Sequence, residues 1–221
     1  MAQPAASGHL PVEVLKISTE APEPSVIDYA ASFIRRGRVI GIPTDTFYGL
    51  SADPFNLAAI ERVFQVKGRP ETRALPILVN SVEQAVSLAR EVPNAFLTLA
   101  SKFWPGALTI VVEATHRLPL KVTGNSGRVA LRWADSRIVA ALIEASGGPV
   151  TGTSANLSGH PSCTNADQIV TQLGSTLPLI LDAGDTGAVT GSTIVRIDGD
   201  EWSIVREGAI NEIEIGKALG N

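Results

Sequence analysis

The chain of 221 residues has a single cysteine, Cys163, which excludes an intramolecular disulfide. That fits a reducing compartment. Its three histidines, His9, His116 and His160, do not make a zinc-type set with that one thiol, so no protein-bound metal is expected. No apolar run is long enough to span a bilayer. The N-terminus has neither a basic start nor an apolar stretch, and Pro4, Pro11, Pro22 and Pro24 interrupt it, so a signal peptide is not expected. These absences predict a cytoplasmic protein without membrane contact. Three signatures are also missing: a Gly-x-x-x-x-Gly-Lys-Ser/Thr loop, a Gly-x-Gly-x-x-Gly turn after a strand, and a Gly-x-Ser-x-Gly elbow. Cys163 has no activating neighbour in sequence. A covalent nucleophile is therefore not expected, and any catalysis must rest on binding and orientation.

The composition, 44% hydrophobic and 18% charged, is that of an ordinary globular protein. This length can bury a core without staples, and one domain is expected. The net charge of -4 argues against a nucleic-acid coat protein. Two basic clusters stand out nonetheless, Arg35, Arg36 and Arg38, and Lys67, Arg69 and Arg73.

Periodicity and punctuation divide the chain. Residues 1–24 read as a flexible leader with a short strand at 12–17, and 25–210 as the main domain. A helix spans 26–36, with Ser25 as cap and Gly37 as stop. A buried strand follows at 39–42. Asn56 caps a helix over 57–66, Ser81 caps another, and a third spans 94–103. Strands are predicted at 75–79, 108–112, 129–132, 150–153 and 179–181. A helix follows Asp135 or Ser136, and another runs from Asn165 to Leu173. A hairpin joins 193–197 to 202–206 across Asp198-Gly199-Asp200, and 211–221 forms a C-terminal helix. Helices and strands alternate early and strands pair late. The predicted fold is α/β of the α+β type, a single domain with one large, twisted, mixed β-sheet flanked by helices.

Chemistry concentrates in a few stretches. The buried strand at 39–42 ends in Pro43-Thr44-Asp45-Thr46, three side-chain oxygens where α/β proteins place ligands. Taken blind, such a turn more often bonds its own backbone. Lys67-Gly68-Arg69-Pro70 presents two cations, expected to be exposed in a cavity, that suit a phosphate chain; alone they pass as charges at a helix end. Residues 151–159 carry five hydroxyl or amide side chains after a strand, suited to ribose, phosphate or carboxylate. Arg132 follows the apolar Val129-Ala130-Leu131 and must find an anion. That anion is either a structural partner such as Asp135 or the carboxylate of a ligand. Gly191-Ser192-Thr193 and Arg206-Glu207-Gly208 are weaker signals.

In this order, PTDTFYGL (43–50), KGRP (67–70), WPGALTIV (104–111), VALR (129–132), TSANLSG (153–159) and GSTIV (191–195) resemble the YrdC/TsaC family of L-threonylcarbamoyladenylate synthases. The resemblance covers about residues 25–210. It implies a YrdC-like fold with a positively lined cavity. It also implies a reaction of L-threonine, bicarbonate and ATP, with Mg2+, to threonylcarbamoyl-AMP and pyrophosphate. Separate proteins then transfer the group to adenosine in tRNA. By position, Arg69, Asn156, Thr164 and Arg206 match ATP contacts, with Lys67 as companion cation and Arg128 as a further nucleotide contact. Lys67 and Arg69 would offset triphosphate charge. Thr46, Arg132, Ser154 and Ser192 match threonine contacts. The chain departs from the pattern at Asn80, where some members have histidine, and over 71–75, which is longer here. It ends soon after Arg206, as the short, single-domain form does. Two other functions are compatible with the fold. One is a module binding double-stranded RNA or tRNA through the basic clusters; the other is a carbamoyltransferase of hydrogenase maturation, whose further zinc-finger and acylphosphatase-like domains have no counterpart here.

Overall fold

The structure, a computed structural model, describes residues 12–68 and 73–220. Caps written in the sequence start most of its helices. In chain order the described residues form β1 (Glu13–Lys16), α1 (Pro24–Arg35), β2 (Ile40–Ile42), β3 (Gly49–Ser51), α2 (Leu57–Lys67) and β4 (Ile77–Leu78). Next come α3 (Val82–Leu88), α4 (Asn94–Phe103), β5 (Leu108–Glu113), β6 (Arg128–Arg132), α5 (Arg137–Ser146), β7 (Val150–Thr151) and β8 (Thr153–Ser154). The chain ends with α6 (Ala166–Leu173), β9 (Leu179–Asp182), β10 (Thr193–Asp198), β11 (Glu201–Arg206) and α7 (Glu212–Leu219). Asn56, Ser81, Ser136, Asn165 and Asn211 each accept a hydrogen bond from the backbone amide three residues on. This satisfies an N–H that the helix itself leaves unpaired. At α1 the start moves forward: Glu23, not Ser25, is the cap, because Pro24 at the first helical position already has the right φ.

The strands pair in two ladders, not in one continuous sheet. The first has the order β1-β9-β2-β3-β8 and the second β11-β10-β5-β6-β4-β7, both of mixed direction. Residues 150–154 belong to both: β7 runs antiparallel to β4, and β8 antiparallel to β3. The change of partner occurs at Gly152. Its backbone lies so close to Leu78 that a Cβ there would meet Leu78 Cγ at 2.4 Å. Buried hydroxyls fasten the junction. Ser51 Oγ donates to the Thr151 carbonyl (2.9 Å), and Thr151 Oγ1 accepts from the Ala52 amide (3.0 Å).

Alternation along the strands divides the interior. Ile40, Ile42, Leu179 and Leu181 face α1 and α5, among Ile27, Ile34 and Leu142. Ile180 points the other way, into a larger core with Leu50, Ile60, Phe64, Ile110 and Ile169. β1 pairs in parallel with β9 (Glu13 with Leu179 through Lys16 with Asp182), so from residue 13 the expected leader is a sheet edge. Residues 1–11 lie outside the described residues. Among the described residues, no helix is long and apolar enough to cross a membrane.

Candidate active site

A cavity of about 880 Å³ opens where the two ladders diverge. Eight residues selected from sequence reach it: Thr46, Lys67, Arg128, Arg132, Ser154, Asn156, Ser192 and Arg206. They come from both ladders, from the end of α2 and from the turn after β2. Thr164 does not line it; its hydroxyl donates instead to the Asp185 carboxylate at 3.1 Å, beside the start of α6. Asn80 does not line it either, whereas Arg73 does. Arg69 lies outside the described residues.

Arg132 ends β6 with its side chain almost fully covered, at 8% exposure. Three acceptors from two segments hold the guanidinium. Nε donates to the Gly106 carbonyl (3.1 Å), Nη1 to Thr46 Oγ1 (2.8 Å) and Nη2 to Asp45 Oδ1 (2.7 Å). Its structural anion is thus Asp45, across the interface of the two ladders. Asp135 stays exposed in the following loop. Burial pushes the Arg132 pKa below its ordinary value, and the Asp45 carboxylate pulls it back up. The guanidinium has five N–H groups, so one remains on each of Nη1 and Nη2. Thr44 fixes the direction of the neighbouring hydroxyl. Its Oγ1 donates to the Phe47 carbonyl (2.8 Å) and accepts from the Thr46 amide (3.0 Å). Thr46 Oγ1, which accepts from Arg132, gives its own hydrogen to Thr44 Oγ1 at 3.2 Å.

Lys67 overturns the expectation of an exposed cation, because its side chain folds under the loop after β8. The residue is 3% exposed. Its ammonium donates to the Ser154 carbonyl (2.5 Å), the Asn156 carbonyl (3.1 Å) and Asn156 Oδ1 (3.1 Å). Ser154 Oγ also donates to Asn156 Oδ1 at 2.6 Å. The amide end of Asn156 donates to the Leu157 carbonyl (3.0 Å) and the His160 carbonyl (2.6 Å). The Ser154-Ala155-Asn156 loop therefore closes around Lys67. Gly68, left-handed at φ 58°, ends α2 immediately behind it. A buried Lys67 adds nothing to a basic outer surface, and Arg35 of the other basic cluster donates to the Ala145 carbonyl.

The opposite wall is built on β5 and the hairpin. Buried Ser192 and Thr109 share a hydrogen bond of 2.8 Å. Thr109, on β5, lines the cavity, and sequence reasoning missed it because it sits inside an apolar strand. Arg206 lies across Gly191 and donates to the Ser192 carbonyl at 2.7 Å. Partial burial, and then the Arg132 charge, push its pKa below the ordinary value. Arg128 pairs with Asp198, and its Nη1 is buried with no hydrogen-bond partner among the described residues. Among the described residues no three metal-ligating side chains gather.

A family model named Sua5_yciO_yrdC and described as "Telomere recombination" matches residues 32–208, most of the chain. The chain belongs to the Sua5/YciO/YrdC family. Among its relatives, the threonylcarbamoyl-AMP synthase of Pyrococcus abyssi is 39% identical over 196 residues, covering 88% of this chain and 57% of that one. That of Bacillus subtilis is 34% identical over 206 residues, covering 93% and 59%. This member thus spans less than two thirds of the length of either. The crystal structure of P. abyssi Sua5 complexed with L-threonine has a TM-score of 0.90 to it at 36% identity, over 94% of this chain and 61% of the other. The mixed α/β architecture of this chain is thus that of Sua5.

Proposed function

We propose that this protein is an L-threonylcarbamoyladenylate synthase. In this reading it converts L-threonine, bicarbonate and ATP into threonylcarbamoyl-AMP and pyrophosphate, in the cytoplasm, as the first step of forming N6-threonylcarbamoyladenosine in tRNA. Separate proteins would carry out the transfer to tRNA. The observation that carries the reading is Arg132: a covered guanidinium in the cavity wall with one N–H left on each Nη, in a chain similar to a structure complexed with L-threonine.

Two parallel N–H groups on a planar guanidinium match a carboxylate. Arg132 would therefore hold the threonine carboxylate, with Thr46, Ser154 and Ser192 completing the amino-acid site. The amine, as a free base, combines with carbon dioxide from bicarbonate to give a carbamate. A carbamate oxygen then attacks the α-phosphorus of ATP, and pyrophosphate leaves with the α–β bridging oxygen. Fixing both substrates in one cavity turns this encounter into an intramolecular step. Arg206 and Arg128 would face the nucleotide, with Asn156 beside it. Arg69 would join them by its position in the family motif alone, and Thr164, which does not line the cavity, is not among them. Lys67 acts mainly by holding the Ser154–Asn156 loop and by its positive field. Mg2+ enters with ATP, held by phosphate oxygens and water.

Mixing the protein with ATP, Mg2+, bicarbonate and single amino acids tests this. The expected result is pyrophosphate release that requires threonine. Folded protein that releases pyrophosphate equally with any amino acid, or with none, would refute the reading.

A further inference from the structure

We infer that Asp45 is a positioning residue for substrate recognition: it fixes the plane of Arg132 so that the two remaining Nη hydrogens face the carboxylate of the amino-acid substrate. This rests on the assignment of Arg132 to that carboxylate. Thr44 and Thr46 line the cavity and Asp45, between them, does not. Its carboxylate reaches Arg132 from outside the cavity lining and is itself only 15% exposed. Of the three groups that hold the guanidinium, two are neutral oxygens, of Gly106 and Thr46; Asp45 alone is charged. A hydrogen bond between two charged groups is stronger and more directional than its neutral counterparts. Without it the planar guanidinium keeps only two neutral anchors and can tilt as a whole, which carries both remaining N–H groups out of line with the carboxylate.

The partnership is also electrostatic. An isolated guanidinium at this depth would hold whatever anion enters. With Asp45 in place the pair is close to neutral, and recognition depends on the geometry of the two N–H groups. The site thereby favours a planar carboxylate over an anion of another shape.

The test uses the full chain and the variants Asp45→Ala and Asp45→Asn. Half-saturation is measured separately for L-threonine and ATP, by pyrophosphate release and by calorimetry. Loss of one hydrogen bond to a charged group predicts a rise in the threonine requirement of roughly 10- to 100-fold for Asp45→Ala. The ATP requirement stays at the wild-type level. Asp45→Asn keeps an oxygen for Nη2, so it shows a smaller rise. If Asp45→Ala does not fold, Asp45→Asn decides alone, through a raised requirement for threonine and not for ATP. Folded variants with wild-type threonine half-saturation, or with equal losses for threonine and ATP, overturn the inference. A wild-type protein without threonine dependence is a different failure: it removes the synthase reading itself, and this inference with it.

Discussion

Replacing Lys67 by methionine separates two roles that one cation can have. Methionine matches its length and removes only the ammonium. In the structure that ammonium donates to two backbone carbonyls and one side-chain oxygen of the Ser154–Asn156 loop, at 2.5, 3.1 and 3.1 Å, within a residue 3% exposed. Asn156 Oδ1 keeps the Ser154 hydroxyl as donor, so the loss falls on the two carbonyls. Each such loss costs about 1–3 kcal/mol, and removing the buried charge returns part of it. A net destabilisation of roughly 2–4 kcal/mol corresponds, at this size, to a fall in Tm of about 5–15 °C. Melting followed by circular dichroism at neutral pH measures it, with turnover recorded on the same samples. A Lys67→Met protein that melts with the wild type yet has lost turnover would show that the ammonium serves the ligand alone. An exposed cation, as the sequence predicts, gives that second outcome; the observed burial gives the first.

Three further outcomes are expected. Arg132→Ala should raise the threonine requirement far more than the ATP requirement; an effect on ATP alone would refute the division of the cavity. Gly152→Ala should cost about 1–3 kcal/mol by urea denaturation, because the added carbon overlaps Leu78. Combining it with Leu78→Ala should recover part of the loss. Burial pushes the Cys163 thiol up to about 11, against the attraction of Lys67, from an ordinary value of 9.0. The folded state therefore favours the protonated thiol: its contribution is complete below about pH 9 and is lost as pH rises towards 11. Stability curves of wild type and Cys163→Ala should diverge over that window, and unchanged curves would refute it.

Much of this architecture is legible in the sequence, and the reasons differ from element to element. Caps at Asn56, Ser81, Asn165 and Asn211 are local, since donor and acceptor lie three residues apart, and each starts the helix expected there. The hairpin across Asp198-Gly199-Asp200 is local too. β3 is not, because Gly49–Ser51 is too short to carry a period and becomes a strand only between β2 and β8. Division into two ladders depends on how closely Gly152 packs on Leu78, which pattern does not express. The site shows the same contrast. Residue types at strand ends marked Thr46, Arg132 and Ser154, but Asp135 looked the nearer partner for Arg132, and only the folded chain brings Asp45 to it. Lys67 read as a cation exposed in the cavity because nothing local reveals a loop, arriving from β8, that closes over it.

The long-range pairing of the first ladder has a consequence for how the chain folds. β1 and β2 both take β9 as their parallel neighbour, Glu13 against Leu179 and Gly41 against Ile180. During synthesis the apolar Val39–Ile42 strand must wait for Leu179–Asp182 to be made before it can complete that ladder. Sheets closed by such distant segments form slowly and expose aggregation-prone strands in the interval. The Asp45–Thr46 turn that anchors Arg132 hangs from that strand, so the cavity is among the last features to form. A nascent chain arrested short of β9 therefore lacks a binding site as well as a finished sheet, and in the cell its apolar N-terminal strand is a natural target for chaperones.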